Sequence, residues 1–443
     1  MADVIKLWLP QIKSPQWNLS IVWSIMSAII FSQILIQGRV QASRHTFYSI
    51  NGVSVAANDS AFKFFIFCLT GWVQSWAHFH LATTTAPFDD MKFNIVGLVG
   101  LLAWVTGQVV YVLTYTPPST ATTIELLQEH YQFVSLIDIL LITLGGSLFY
   151  WSVRTQQLAI FPREGGRILF GAYTILPSVC AMVVVGFSSP MSTQVLSFVQ
   201  TYMYFLVIGL GPLTITLLQS ASLIDLQQDE SDDSSVPFGS KGLKYEVTGY
   251  SMINILAHGV FVVCSSTLFF LPFVHIQSAL VFYDASNAEQ TQATLVLLGG
   301  GLLGKVIVAL LSDLHGESKW VLPVASFVQT ISLAVWLGTY ASYNYALLES
   351  IGFFLGLSST STFVFSHLKS VSSLVTKQNM FTGPVMDVFH MTSMVPGGAL
   401  LVIITRSFTD MGSVDYYWLL TVALCLSVTA TVSSIVASFT QLK

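Results

Sequence analysis

The chain has 443 residues, of which 53% are hydrophobic and 9% are charged, and its formal net charge is −5. Its mean hydropathy is +0.70. A soluble domain carries far more surface charge than this, and an acidic chain offers no basic surface to nucleic acid. The composition therefore excludes a soluble enzyme and a nucleic-acid-binding protein, and it predicts a protein whose main partner is the lipid bilayer.

Twelve apolar stretches follow one another along the chain. A bilayer core needs roughly 20 apolar residues per helix, and only helices or closed barrels satisfy every backbone group in lipid. Barrel strands are about ten residues long and alternate in polarity, so the pattern predicts an all-α membrane protein. The predicted spans are 18–38, 61–83, 93–114, 132–153, 167–187, 195–219, 249–276, 292–312, 320–342, 344–366, 380–405 and 416–439.

The basic residues predict the orientation. With the N-terminus in the cytosol, twelve basic residues lie on inner segments and four on outer ones, and the four are Arg39, Arg44, Lys63 and Arg406. An excess of positive charge marks the cytoplasmic side, so both termini are predicted to be cytosolic. Asn58 then begins a glycosylation sequon in the first outer loop. The sequence is equally compatible with a glycosylated and an unglycosylated asparagine there.

Residues 220–248 are the longest segment outside the predicted spans, and they are acidic and rich in serine. Such a segment is typical of a mobile linker, either a solvated tether or a phosphorylated regulatory loop. It divides the chain into an N-terminal six-helix bundle over 1–219 and a C-terminal six-helix bundle over 249–443. Two such repeats with a site at their interface are common in transporters.

Three short motifs lie on the predicted cytosolic side. Gly304 precedes Ser312-Asp313-Leu314-His315-Gly316 after the eighth span, and Asp89-Asp90-Met91-Lys92 joins the second and third spans. Phe161-Pro162-Arg163-Glu164-Gly165-Gly166-Arg167 joins the fourth and fifth. Together with six plus six spans, these segments resemble the cytosolic signatures of the major facilitator superfamily (MFS).

The resemblance implies two bundles around a central cavity that is lined by spans 1, 4, 7 and 10. It also implies a cytosolic gate formed by Asp90, Arg163, Arg167, Asp313 and Gly316. Leu314 and Glu317 stand where the family usually has basic residues. This departure leaves open a member that transports nothing and acts as a scaffold or receptor.

Four ionisable residues within the spans are candidates for proton coupling, because a charge at the bilayer centre costs roughly 2.5–3.5 kcal/mol. Asp138 and Glu349 lie at similar depths in the fourth and tenth spans, so they are predicted to face one another. Asp387 and His390 lie three residues apart and share a helix face. This pair is either a proton relay or a static interhelical hydrogen bond, and Glu349 is either a coupling acid or an interfacial side chain.

Five further polar residues are candidate solute contacts. Gln33 and Gln37 are four residues apart, as are Asn254 and His258, so each pair shares one helix face. Lys305 lies near the middle of its span, where it either pairs with Asp387 or Asp138 or contacts an anionic solute. His78 and His80 point about 200° apart on a helix, so we predict no metal site, and no cofactor.

These deep positions hold three carboxylates and one amine, and no arginine is predicted to be buried. Because guanidinium groups are the usual ligands of phosphates and carboxylates, the balance disfavours transport of an organophosphate or dianion. The hypothesis is therefore a monomeric secondary transporter that moves a small neutral or cationic organic solute together with protons by alternating access.

Other functions remain open beside this one. A channel fits a two-repeat layout with scattered polar residues less well than a carrier does, and no catalytic motif indicates a membrane-embedded enzyme. The plasma membrane and a vacuole- or lysosome-like membrane are equally compatible with the sequence.

Overall fold

A computed structural model of the chain describes residues 15–40, 53–84, 90–114, 124–160, 166–188, 201–202, 252–314, 320–342, 344–372, 382–410 and 413–439. Its helices are α1 Pro15–Leu35, α2 Val53–Thr84, α3 Asp90–Thr114, α4 Ile124–Ile137, α5 Leu144–Ile160, α6 Gly166–Ser188, α7 Met252–Phe282, α8 Asn287–Leu314, α9 Val321–Thr339, α10 Tyr345–Ser372, α11 Thr382–Ser407 and α12 Tyr416–Phe439. A π-helical segment, Asp138–Thr143, joins α4 to α5 without a break.

The described helices account for eleven of the twelve predicted spans, with α4, the π segment and α5 forming the fourth. The sixth predicted span, 195–219, lies outside the described residues except for 201–202. Eight of the described helical segments are long and apolar enough to cross a membrane. Their outward surfaces carry large apolar side chains such as Leu102, Leu113 and Phe187, which are 65–75% exposed. A surface of this kind suits lipid rather than water, so the chain is an integral multi-pass membrane protein.

The contacts between helices divide them into two groups. Helix α1 packs against α5 and α6, and α3 packs against α5. In the second group α8 packs against α10, α9 against α10 and α12, and α7 against α11 and α12. The groups meet where α2 packs against α11 and where α6 packs against α8. Polar side chains buried near those two contacts would therefore change their surroundings if the two groups of helices moved relative to each other.

The α8–α10 contact depends on glycines. A Cβ atom at Gly300 would strike the carbonyl of Phe353, and one at Gly356 would strike the carbonyl of Leu297. A Cβ atom at Gly304 would likewise strike the carbonyl of Leu357. Small residues let membrane helices approach closely, and Gly300, Gly304 and Gly356 allow this close approach of α8 and α10. A Cβ atom at Gly299 would meet no described atom within 4 Å, so this glycine takes no part in the contact.

Local sequence explains the turns on the predicted outer side. Asp284 adopts φ 53° in the turn after α7, a conformation that Asp tolerates better than most residues. Ser286 and Glu289 exchange hydrogen bonds as a capping box at the start of α8. A short hairpin, β1 Thr409–Asp410 with β2 Ser413–Val414, joins α11 to α12. The all-α prediction omitted this hairpin, which is too short to carry a hydropathy signal.

Candidate functional site

The first polar cluster, Gln37, Lys63 and Asp138, lies in the interior of the N-terminal half. Lys63 Nζ forms an ion pair with Asp138 Oδ2, and their side chains are 1% and 5% exposed. Lys63 also donates to Gln37 Oε1 at 3.4 Å. Asp138 is the first residue of the π segment, and such segments often occur at functional sites. We call these three residues the Asp138 cluster.

Lys63 is one of the residues whose predicted position is wrong. Its position near the end of a span suggested a basic residue on the outer side, but it is buried in α2. Of the alternatives for Lys305, pairing with Asp138 is wrong, because Lys63 fills that place. Lys305 lies on α8 and donates to Ser178 Oγ on α6 at 2.9 Å. It therefore bridges the two groups of helices through a neutral hydroxyl.

Gln33 and Gln37 are both buried, as candidate solute contacts should be. Gln33 Oε1 accepts hydrogen bonds from Trp104 Nε1 at 3.0 Å and from Gln108 Nε2 at 3.1 Å. Regular helix ends at Leu35 and a turn at Ile36 follows. The two glutamines consequently contact different helices, with Gln33 directed to α3 and Gln37 to α2. Their role as solute contacts stays a prediction.

The second polar cluster lies between the two groups of helices, at their predicted inner half. It consists of Arg154 on α5, His258 on α7 and His390 on α11, and all three are buried. The centres of the two imidazole rings are 6.4 Å apart. A Cβ atom at Gly71 would strike both Trp151 and Met391, the residue after His390. The Arg154 guanidinium lies 4.6 Å from the ring centre of Trp151. We call these three residues the Arg154 cluster.

The remaining candidate acids are Glu349 and Asp387. Glu349 is half-buried and accepts a hydrogen bond from Gln292 Nε2 at 2.8 Å. Asp138 has Lys63 as a partner, and the facing of the two carboxylates stays a prediction. Asp387 lies on α11 one turn before His390, and its side chain is outside the described part, as is that of Asn254. The relay between Asp387 and His390 stays a prediction.

The predicted cytosolic gate falls largely beyond what the structure describes. Arg163 and Gly316 lie outside the described residues, and the side chains of Asp90, Arg167 and Asp313 do as well. The predicted glycosylation site is described, and Asn58 lies within α2 rather than in a loop. Ser60, the third residue of that sequon, is 3% exposed, which is an unfavourable setting for modification.

A third polar contact closes the predicted outer side. Arg39 follows α1, is buried, and donates to Gln290 Oε1 and to Thr291 Oγ1 on α8. Gln277 on α7 donates to the same Gln290 oxygen at 3.1 Å. A Cβ atom at Gly38 would strike the carbonyl of Phe273. The end of α1 is therefore in direct contact with α7 and α8.

The sequence predicted one buried cation and no buried arginine, and this prediction is wrong. Among the residues that the structure describes, the buried charged side chains are one carboxylate, Asp138, and four cations, Arg39, Lys63, Arg154 and Lys305. Two arginines are buried where none was predicted. Arg39 and Arg154 lie near span ends, where sequence alone assigns a basic residue to water or to the membrane interface. Only the packing of neighbouring helices reveals that they point inward.

The chain is similar to known proteins in its structure only. No protein-family model matches the chain, and no curated protein matches it. Solved structures do: a D-xylose–proton symporter has a TM-score of 0.65 and 11% sequence identity, over 97% of this chain and 98% of that chain. The xylose transporter XylE from E. coli, in a partially occluded inward-open conformation, has a TM-score of 0.59 and 11% identity, over 95% and 98%.

A variant of the nucleoside transporter NupG is also similar, with a TM-score of 0.55 and 14% identity over 95% of this chain and 100% of that chain. Another xylose symporter structure is named as a member of the major facilitator superfamily. The chain therefore has the MFS fold, as its sequence motifs predicted. The solved structures that share this fold are named as transporters.

Proposed function

We propose that this protein is a proton-coupled secondary active transporter that moves a small organic solute by alternating access. The observation that carries the proposal is the buried Lys63–Asp138 ion pair at the start of the π segment. A charge pair inside a membrane bundle stabilises less than a hydrophobic contact of similar volume. Ionisable residues there commonly serve ion or proton movement.

The chemistry of the pair suits a proton carrier. When a proton binds Asp138, the carboxylate loses its charge and its attraction for Lys63 falls. The ammonium then keeps its hydrogen bond to Gln37, which follows the turn at Ile36. Arg39 lies two residues further on and contacts α8. A change of charge at Asp138 can thus reach the outer contact between the two groups of helices through a few residues.

The contacts on the predicted outer side indicate that the structure represents a conformation closed on that side. Arg39 and Gly38 hold the end of α1 against α7 and α8, and Phe64 on α2 stacks on Phe270 on α7 with ring centres 3.5 Å apart. These contacts close the predicted outer side. In alternating access, the opposite conformation must separate them so that a solute can enter from that side.

The expectation of a neutral or cationic solute rested on an excess of buried carboxylates. Four buried cations against one buried carboxylate among the described residues remove that basis. Proton coupling does not depend on it, since it rests on Asp138 alone.

The test is solute-evoked proton flux. The protein is reconstituted in liposomes that contain a pH-sensitive dye, and pooled small solutes are added without an imposed gradient. We expect at least one pool to acidify the lumen of liposomes with the unaltered protein. Asp138→Asn should abolish the flux, because an amide cannot take up a proton near neutral pH.

Asp284→Asn is the matched control, since it makes the same chemical change in an exposed turn where Asn also tolerates a positive φ. It should leave the flux unchanged. Flux that persists in folded Asp138→Asn would contradict the assignment of Asp138. A folded protein that gives no flux and no counterflow with any pool would instead favour the non-transporting scaffold.

A further inference from the structure

A second carboxylate lies one helical turn away from the Asp138 cluster. Asp59 is on α2, four residues before Lys63, and it is half-buried. Four residues advance a helix by about 6 Å and return to nearly the same face. Asp59 therefore lies on the side of α2 that carries Lys63, one turn nearer to the predicted outer side.

The contacts of α2 with α4 and the π segment agree with this placement. Asp59 Oδ2 accepts a hydrogen bond from the Tyr131 hydroxyl on α4, and Lys63 pairs with Asp138 at the start of the π segment. Tyr131 precedes Asp138 by seven residues, which is about 10 Å along a helix. The two contacts therefore form two levels of one interface, with Asp59 and Tyr131 at the outer level and Lys63 and Asp138 at the inner level.

The two levels differ in their access to solvent. The side chains of Lys63 and Asp138 are 1% and 5% exposed, whereas Asp59 is half-buried in the second turn of α2. Charged groups lose hydration when they are buried, which is costly. An ammonium group that moves from the inner level to the outer level would regain part of its hydration.

A proton on Asp138 changes the balance between the two levels. While Asp138 is charged, its attraction holds the Lys63 ammonium at the inner level. Gln37 accepts from the same ammonium at 3.4 Å, but it is neutral and cannot replace that charge. An acid four residues before a lysine is the favourable order for a pair on one helix. The flexible four-carbon side chain of lysine can follow the stronger charge from one level to the next.

We infer that Lys63 exchanges partners during the transport cycle, from Asp138 to Asp59, when Asp138 takes up a proton. The inference rests on the proposed proton coupling and names the residue that receives the ammonium. One proton passes from water to the Asp138 carboxylate, Lys63 keeps its charge, and one ion pair replaces another. Asp59 is thus a positioning residue that acts through Lys63, and Tyr131 competes with Lys63 for its carboxylate.

Other ionisable residues belong to the elements that contact the outer part of α2. His275 on α7 is hydrogen-bonded to Thr405, and the arginine at the end of α11 is exposed. The side chains of one acid on α4 and one on β1 are outside the described part. These residues are Glu125, Glu129 and His130 on α4, His275 on α7, Arg406 on α11 and Asp410 on β1. They are the same in every variant below, so the effect of Asp59 is measured as a difference between variants.

A double-mutant cycle tests the exchange without transport. Asp138→Asn imitates the protonated acid, so Lys63 should already pair with Asp59 in this background. Asp59→Asn should therefore reduce the folded-to-unfolded ratio about fivefold more in Asp138→Asn than in the unaltered protein, which is within the usual range of coupling between interacting residues. Unfolding in detergent at neutral pH is followed by tryptophan fluorescence. Asp284→Asn, in an exposed turn, is the control and should cost the same in both backgrounds.

The pH dependence of solute-evoked proton flux gives a second readout. The Asp59 carboxylate favours protonated Asp138, because it receives Lys63. Without it a higher proton concentration is needed, so Asp59→Asn should move the half-maximal pH of the flux down by about one unit. Asp59→Glu keeps the charge and should move it less. Tyr131→Phe removes the competing hydrogen bond and should move it up, whereas a purely structural Asp59–Tyr131 contact gives no reason for opposite shifts.

The outcomes separate the inference from the proposal on which it rests. Equal losses of stability from Asp59→Asn in the two backgrounds would overturn the exchange of partners. An unchanged pH profile in Asp59→Asn, with Asp138 still required for flux, would overturn it as well, and both results leave proton-coupled transport intact. Flux that persists in folded Asp138→Asn would instead contradict the proposed function, and the stability cycle would still show whether Lys63 changes partners.

Discussion

The interiors of the two halves differ in their chemistry. The N-terminal half buries a charge pair, Lys63 with Asp138. The C-terminal half connects its helices mainly through neutral groups. Gln329 on α9 donates to Ser359 on α10 at 2.8 Å, and His275 on α7 hydrogen-bonds Thr405 on α11 at 3.1 Å.

The difference suggests a division of roles. A charged pair can change state when a proton arrives, whereas hydroxyl and amide contacts keep the same charge throughout the cycle. Backbone contact through Gly300 and Gly304 further fixes α8 against α10. We expect the N-terminal half to respond to protons and the C-terminal half to act as a more rigid body. Three stability experiments test this division of roles.

The largest effect is expected from breaking the charge pair. Lys63→Met leaves Asp138 buried without its partner and should lower the free energy of unfolding by about 3–5 kcal/mol. The double variant Lys63→Met/Asp138→Asn leaves no charge and should recover most of that loss. Unfolding of each variant in detergent, followed by tryptophan fluorescence, measures both values. A double variant as unstable as Lys63→Met would show that the unpaired charge on Asp138 does not cause the loss of stability.

A smaller loss is expected from the glycine contact in the C-terminal half. Gly300→Ala adds a methyl group against the Phe353 carbonyl, and overpacking of this kind costs about 1–3 kcal/mol. Gly299→Ala is the matched control, because its added Cβ atom meets no described atom within 4 Å. Thermal melts of the two variants should therefore differ clearly. Equal melting temperatures would mean that α8 and α10 can separate at little cost.

The smallest effect is expected from a neutral contact. Gln329→Leu removes the hydrogen bond to Ser359, but Ser359 keeps a second contact to the Leu268 carbonyl at 3.3 Å. A neutral hydrogen bond contributes about 0.5–1.5 kcal/mol net, so the loss should stay below that of Gly300→Ala. A loss as large as that of Lys63→Met would remove the distinction between the two interiors.

The sequence predicted the spans well and the partnerships poorly, for a physical reason. Hydropathy is a local property, so eleven predicted spans have a described helix at their position. Asp138 was also identified locally, since a carboxylate within an apolar stretch needs a special environment. Its partner Lys63 lies 75 residues away in the chain. Nothing in either segment specifies which helix faces which.

The buried arginines illustrate the same limit. Arg39 makes its contacts with residues 251 and 252 positions away, which no local pattern encodes. A basic residue near a span end can extend to the interface or turn into the bundle, and the neighbouring helix decides between them. The expectation of a neutral or cationic solute depended on that count of buried charges. Individual polar residues were found from sequence, whereas the charge balance of the site required the packed structure.

The central claim is that Asp138 couples proton movement to solute movement. Its most direct test compares two assays on Asp138→Asn in liposomes, with one solute that drives proton flux in the unaltered protein. Exchange of labelled for unlabelled solute requires only alternating access, whereas accumulation against a gradient requires the proton. The account predicts that exchange is retained and pH-driven accumulation is lost. Accumulation at the unaltered level in Asp138→Asn would contradict it.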